Sequence, residues 1–238
     1  MTQEDVPGAA SERYTRVAIV LHWAIAAFII FNLLSGLITD ALPVWLRIVV
    51  LAAHISSGMT VLALTVVRVA WRLFNHPPPY PAGMKPWERH AAHVAHFLLY
   101  AAMVLMPLSG WAVMSTHPPP GSPGAAAEPE SRFAPPPETT SRAAPPANMP
   151  ALPAAPPALK IWNLVPLPAI GPIEAIGTEP GGLPAQHRLR DDLEAWHSVG
   201  GFLLLGLLIL HIAGALKHQF IDRHAEFARM GIGRRRAD

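Results

Sequence analysis

Two histidines bracket an apolar run late in the chain, Trp196-His197-Ser198-Val199-Gly200-Gly201-Phe202-Leu203-Leu204-Leu205-Gly206-Leu207-Leu208-Ile209-Leu210-His211. On a helix their spacing is four turns to within about 40°, so both rings leave the same face. The rise separates them by roughly 21 Å, most of the depth of a ~30 Å hydrocarbon layer. An ionisable ring inside a membrane span marks a functional site by default. Two such rings, one near each leaflet, point to two stacked metal centres. Haem is the leading candidate, because one imidazole per leaflet needs a second axial ligand from another helix.

The chain contains no cysteine. That excludes thiolate-held iron–sulfur clusters, disulfides and covalent haem attachment through Cys-x-x-Cys-His, so any haem is of the b type. Of the 238 residues 51% are hydrophobic and only 14% charged, with a mean hydropathy of +0.30, which suits a small helical membrane protein. The pI near 9.3 raises nucleic acid as a partner. The basic residues sit beside apolar spans, however, and membrane orientation accounts for them without nucleic acid.

The elements that must position the histidines are four apolar spans, an all-α transmembrane four-helix bundle. Residues 1–12 read as a disordered tail. Span one runs from Val17 to Ile38, with Thr15 as N-cap and His22 two turns in. Span two runs from Val44 to Phe74, carries His54 and ends at Arg68, Arg72 and the prolines Pro77, Pro78 and Pro79. Span three runs from His90 to Met114 and opens with His90, His93 and His96. Spans one to three together fill residues 13–115. Residues 116–158 form a long Pro/Ala-rich insertion, read as disordered or extended from Pro118 to Ala158 and lying outside the cytoplasm. Residues 159–190 are more apolar and are expected to pack on the bundle. Span four covers 191–220, opening at Asp191 or Asp192, and a basic tail follows over 221–238.

Lys and Arg counts set the orientation. With the N-terminus in the cytoplasm, 12 basic residues lie inside and 6 outside, so both termini are expected inside, in a bacterial inner membrane. Orientation turns position into depth. His22 and His211 then share the cytoplasmic level, and His54 and His197 the outer level. Two bis-histidine haems are expected, one between each pair, with no coordination position open. Arg16, Arg68 or Arg72 can meet inner propionates, and Arg47, Arg188 or Arg190 outer ones. Ser56, Ser57, Gly58, Gly200 and Gly201 leave room beside the ligands for a flat macrocycle, or serve close helix packing. His93 and His96 read either as polar residues at a helix entrance or as a quinone-contacting pair.

At these residues the chain resembles the bacterial two-haem cytochrome b561 family. The resemblance is carried by Tyr14-Thr15-Arg16 leading to His22-Trp23, and by His54-Ile55-Ser56-Ser57-Gly58 followed by Val67-Arg68. It continues through Ala92-His93-Val94-Ala95-His96-Phe97-Leu98-Leu99-Tyr100, then Pro107-Leu108-Ser109-Gly110, and through Trp196-His197 with the step to His211. It covers all four spans. It implies that His22, His54, His197 and His211 are the haem ligands. It implies exchange of electrons with the quinone pool and, as in some members, oxidation of superoxide at the periplasmic face, a superoxide:quinone oxidoreductase activity. The insertion Pro118–Ala158 departs from the family pattern on the side where a periplasmic donor or acceptor would approach.

Two other functions compete. A cytochrome b subunit anchoring a larger periplasmic dehydrogenase or hydrogenase shares the haem chemistry and would co-purify with its partner. A haem-free transporter or proton relay would show no visible absorbance. The few spans and the lack of membrane-embedded acids weigh against it.

Overall fold

A computed structural model of the chain describes residues 13–80, 83–128, 160–223 and 226–233. Four helices are long and apolar enough to cross a membrane. Helix α1 is Arg16–Ile38, α2 is Val44–Phe74 and α3 is Pro86–Met114. The fourth, α6, is Leu183–Leu216 and continues as a π-helical turn over Lys217–Ile221. Between α3 and α6 lie α4 (Pro123–Ala127), a short antiparallel hairpin of β1 (Lys160–Ile161) and β2 (Val165–Pro166), and α5 (Gly171–Glu174). After α6 comes α7 (Glu226–Arg229).

Local chemistry explains the ends. Thr15 Oγ1 accepts the Ala18 N–H at 3.3 Å and opens α1. Pro43 precedes α2, and Pro77 to Pro79 follow it, where a missing N–H and a fixed φ stop the ladder. Helix α3 begins at Pro86, four residues before the His90 start read from the sequence. Pro86 has no N–H to leave unsatisfied, and Glu88 Oε2 reaches back to accept the Lys85 N–H at 3.0 Å. Pro107 lies inside α3, which runs on to Met114.

Helix α6 differs most from the sequence reading. It begins at Leu183, two turns before Asp191, so Asp191 and Asp192 sit inside the helix and cap nothing. The early turns are polar and lack hydrophobic periodicity, but their side chains are tied down. Gln186 is fully buried and donates to the carbonyls of Ile173 and Glu174 at 3.4 and 3.3 Å. Arg190 donates to Thr116 Oγ1 at 3.1 Å and to the Thr116 carbonyl.

The start of the expected disordered insertion is folded. Ser122 caps α4 by accepting the Ala125 N–H at 3.1 Å, and Gly124 donates to the Thr178 carbonyl at 2.8 Å. The rest of the insertion, residues 129–158, lies outside the described residues, as do residue 159, the tail 1–12 and residues 234–238. Part of the basic tail also folds back. Trp23 Nε1 donates to the Met230 carbonyl at 3.0 Å, and Arg229 donates to the Pro79 carbonyl at 2.6 Å.

By packing, the chain divides into two compact units. One takes its described residues from Met1–Leu33, Thr60–Met106 and Val199–Asp238, and the other from Leu34–Met59 and Pro107–Ser198. The first has an apolar core in which Ile25 and Ile29 of α1 meet Val61 of α2, Met103 of α3 and Leu204 of α6. Beyond its core, Lys217 Nζ lies 2.8 Å from Glu88 Oε1 and 2.6 Å from Asp222 Oδ2. The hydrogen bond from Lys217 holds the Asp222 carboxyl below the ordinary aspartate range. In the second unit the fully buried side chains are polar, with Ser57, Ser115, Thr116 and Gln186 among them. Here the connecting segment is bonded to the helices: Trp162 N–H donates to Ser56 Oγ at 2.9 Å, and Trp111 Nε1 to the Pro168 carbonyl at 2.8 Å. Large apolar side chains such as Val20, Phe97, Leu105, Phe202 and Leu210 stand outward along the four long helices, as a lipid-facing surface requires.

Candidate functional site

Each unit brings two of the four span histidines together. In the first, His22 of α1 and His211 of α6 stand with ring centroids 6.2 Å apart and planes at 66°. In the second, His54 of α2 and His197 of α6 stand 6.1 Å apart at 72°. A metal gripped by two imidazoles needs two bonds of about 2.0–2.1 Å, and each ring adds about 1.1 Å from nitrogen to centre, so the centroids must stand about 6 Å apart. Both pairs match that span, and the residues present fit a metal held between two imidazoles.

The two pairs differ in what surrounds them. In the second unit Ser35 Oγ lies 2.9 Å from His54 Nδ1, and Ser109 Oγ lies 2.8 Å from His197 Nδ1. A hydroxyl on Nδ1 holds the ring's orientation and, where Nδ1 carries the proton, would leave Nε2 free to face a metal. A glycine stands beside each ring. A Cβ at Gly110 would come 3.2 Å from His197 Cε1, and one at Gly36 would come 3.5 Å from His54 Cε1. These glycines come from α1 and α3, so all four long helices contribute to the site.

In the first unit the neighbour is charged. Arg68 of α2 donates through Nε to the Tyr100 hydroxyl at 3.0 Å and through one terminal nitrogen to the Ala18 carbonyl at 3.1 Å. Its other terminal nitrogen lies 3.4 Å from His22 Nδ1. His96 of α3 puts its ring 5.4 Å from that of His211, with Nδ1 held 2.7 Å from the Ala92 carbonyl. His93 instead stacks edge-on with Tyr80, centroids 5.3 Å apart.

Among the other residues singled out in the sequence, Arg16 is exposed at the start of α1, and no hydrogen bond or ion pair involves it among the described residues. Arg47 donates to the carbonyls of Asp40 and Leu42, and Arg190 holds Thr116 and Glu128, so both guanidiniums are committed to the fold. Ser56 and Ser57 turn back onto their own helix, at the carbonyls of Ala52 and His54. A Cβ at Gly200 would meet Met106 Sδ at 2.5 Å, so that glycine serves close packing of α6 on α3. The sequence reading assigned no role to Ser35, Tyr100 or Gly36. Hydroxyls within apolar spans were the available signal.

The profile of the prokaryotic cytochrome b561 family matches residues 13–233. A cytochrome b562 of Cereibacter sphaeroides is 36% identical over 116 residues, 46% of this chain and 67% of that protein. A "Probable superoxide oxidase CybB" of Yersinia pestis is 24% identical over 107 residues, 43% of this chain and 58% of that protein. A "Cytochrome b561 homolog 2" of Escherichia coli is 27% identical over 113 residues, 43% of this chain and 55% of that protein. The matches thus span between about half and two thirds of the length of these relatives. With four membrane-spanning helices and a match over nearly its whole length, the chain belongs to the prokaryotic cytochrome b561 family and is a multi-pass bacterial inner-membrane haem protein of electron transfer.

Proposed function

We propose that the chain holds two b haems, one between His22 and His211 and one between His54 and His197, and passes electrons between a periplasmic redox partner and ubiquinone. The observation that carries this reading is the pair of centroid separations, 6.2 and 6.1 Å, each suited to one iron between two imidazoles. A haem held between each pair of imidazoles would supply one-electron chemistry.

The chain's own residues do the rest. Ser35 and Ser109 hold the rings of His54 and His197 in one tautomer. The apolar side chains of the four helices keep water from the ligands. Arg16, at the start of α1, is the cation for the propionates of the His22/His211 haem, while Arg68 is held by Tyr100 and the Ala18 carbonyl and stands beside His22. The excess of Lys and Arg near the ends of α2 and α6 and the start of α3 favours a topology with both termini in the cytoplasm. His22/His211 then lies on the cytoplasmic side and His54/His197 on the periplasmic side. Superoxide is the donor favoured by the likeness to the Yersinia protein.

The test is direct. The purified protein should show a reduced-minus-oxidised b-type spectrum with two haems per chain. In stopped-flow, superoxide should reduce the haems, and added ubiquinone should reoxidise them. Expression with ample haem that yields a protein without visible absorbance refutes the reading.

A further inference from the structure

The pairs meet different electrostatic neighbours, and the difference has a direction. At His54 and His197 the partners on Nδ1 are serine hydroxyls, which carry no charge. At His22 the neighbour is the Arg68 guanidinium, which is always charged. The 3.4 Å separation is too long for a good hydrogen bond, and a histidine bound to metal through Nε2 keeps its proton on Nδ1. Two donors face each other there, so Arg68 acts on His22 as a charge through space.

Among the described residues no carboxylate pairs with that charge. No ion pair among the described residues includes Arg68, and its other donors end on the neutral oxygens of Tyr100 and Ala18. Arg72 adds a second cation, 6.0 Å from the Tyr100 ring centre. A half-buried guanidinium in an apolar span is costly to keep, and charge interactions there are far less screened than in water.

We infer that Arg68 raises the reduction potential of the His22/His211 centre above that of the His54/His197 centre and so sets the direction of electron flow within the chain. The inference rests on the two-haem reading above. A fixed positive charge favours the state with one positive charge fewer, which is Fe2+ over Fe3+. At the other centre each Nδ1–H donates to a serine oxygen, which makes the imidazole a better electron donor and favours Fe3+. One electron then leaves the iron held by His54 and His197 (Fe2+ to Fe3+) and reduces the iron held by His22 and His211 (Fe3+ to Fe2+). No proton is exchanged.

The test is a spectroelectrochemical titration of the full-length haem-loaded protein. Wild type should give two one-electron steps. In Arg68→Gln the higher step should fall by at least a tenfold change in equilibrium constant, about 59 mV for a one-electron couple, while the lower step stays. Arg68→Lys, which keeps the charge, should shift less than half as far. In His54→Ala the surviving step should be the higher of the two.

An Arg68→Gln protein whose higher step does not move, or whose two steps move together, overturns the inference and leaves the two-haem reading standing. Should Arg68→Gln fail to assemble that haem, His54→Ala decides: survival of the lower step overturns the inference. A wild-type protein with two haems per chain that titrate in a single step overturns the inference alone, and one that binds a single haem or none removes the two-haem reading and this inference with it.

Discussion

Ser109 Oγ lies 2.8 Å from His197 Nδ1, a contact between α3 and α6 that joins residues 88 apart in sequence. Ser109 sits two residues after Pro107, where α3 gives up one backbone donor. Partners of this kind typically change metal affinity by roughly 10–100-fold when removed. Ser109→Ala should therefore lower haem occupancy when haem is limiting and recover it when haem is in excess. Pyridine haemochrome absorbance per mole of protein measures both.

His54→Ala should take away one haem of two and leave the other spectrum in place, because His22 and His211 belong to a different packing unit from His54. His22→Ala should do the reverse. Low-temperature difference spectra separate the two bands, and loss of both haems from either single variant would contradict the pairing.

Glycines at close approaches divide into two classes. A Cβ at Gly124 would run into the Gly177 carbonyl, which is backbone and cannot step aside. Gly124→Ala should therefore cost about 1–3 kcal/mol, the usual range for overpacking. A Cβ at Gly200 would meet only the flexible thioether of Met106, so Gly200→Ala should cost less. Thermal unfolding of the detergent-solubilised protein ranks the two.

His117 lies just beyond α3, outside the membrane span. Loss of water on burial, and then the Arg190 guanidinium, push its imidazole below the ordinary value of 6.5. A histidine whose folded value is depressed adds stability that is fully present above its unfolded value and lost as pH falls below it. The protein should accordingly melt at a lower temperature at pH 5.5 than at pH 7.5, and His117→Gln should lessen that difference. Thermal scans of both proteins at the two pH values settle the sign.

Much of this architecture could be read from residue order. Helix α2 begins and ends where Pro43 and the run from Pro77 say it should, since proline acts through its own ring and needs no tertiary context. The start of helix α6 is not legible because its first two turns owe their order to Gln186, bonded to carbonyls 12 and 13 residues upstream, and to Arg190, bonded to Thr116 74 residues away, and hydropathy carries no trace of either. The folded start of the insertion was hidden for the same reason: α4 is held by Ser122 locally but by Thr178 at a distance. Within the candidate site, the histidines announced themselves as rings in apolar spans. Ser35 did not, because a serine in a span is as often bonded to its own helix, as Ser56 and Ser57 are here.

The crossed ring planes, 66° in one pair and 72° in the other, carry a magnetic consequence. Parallel imidazoles push π density into the same iron d orbital and split it from its twin. Crossed imidazoles treat the two orbitals almost alike. In a ferric haem held by such a pair the unpaired electron would keep much of its orbital motion, and the low-spin signal would stretch toward a single large g value. Electron paramagnetic resonance near liquid-helium temperature would therefore read the angle at which these helices present their histidines.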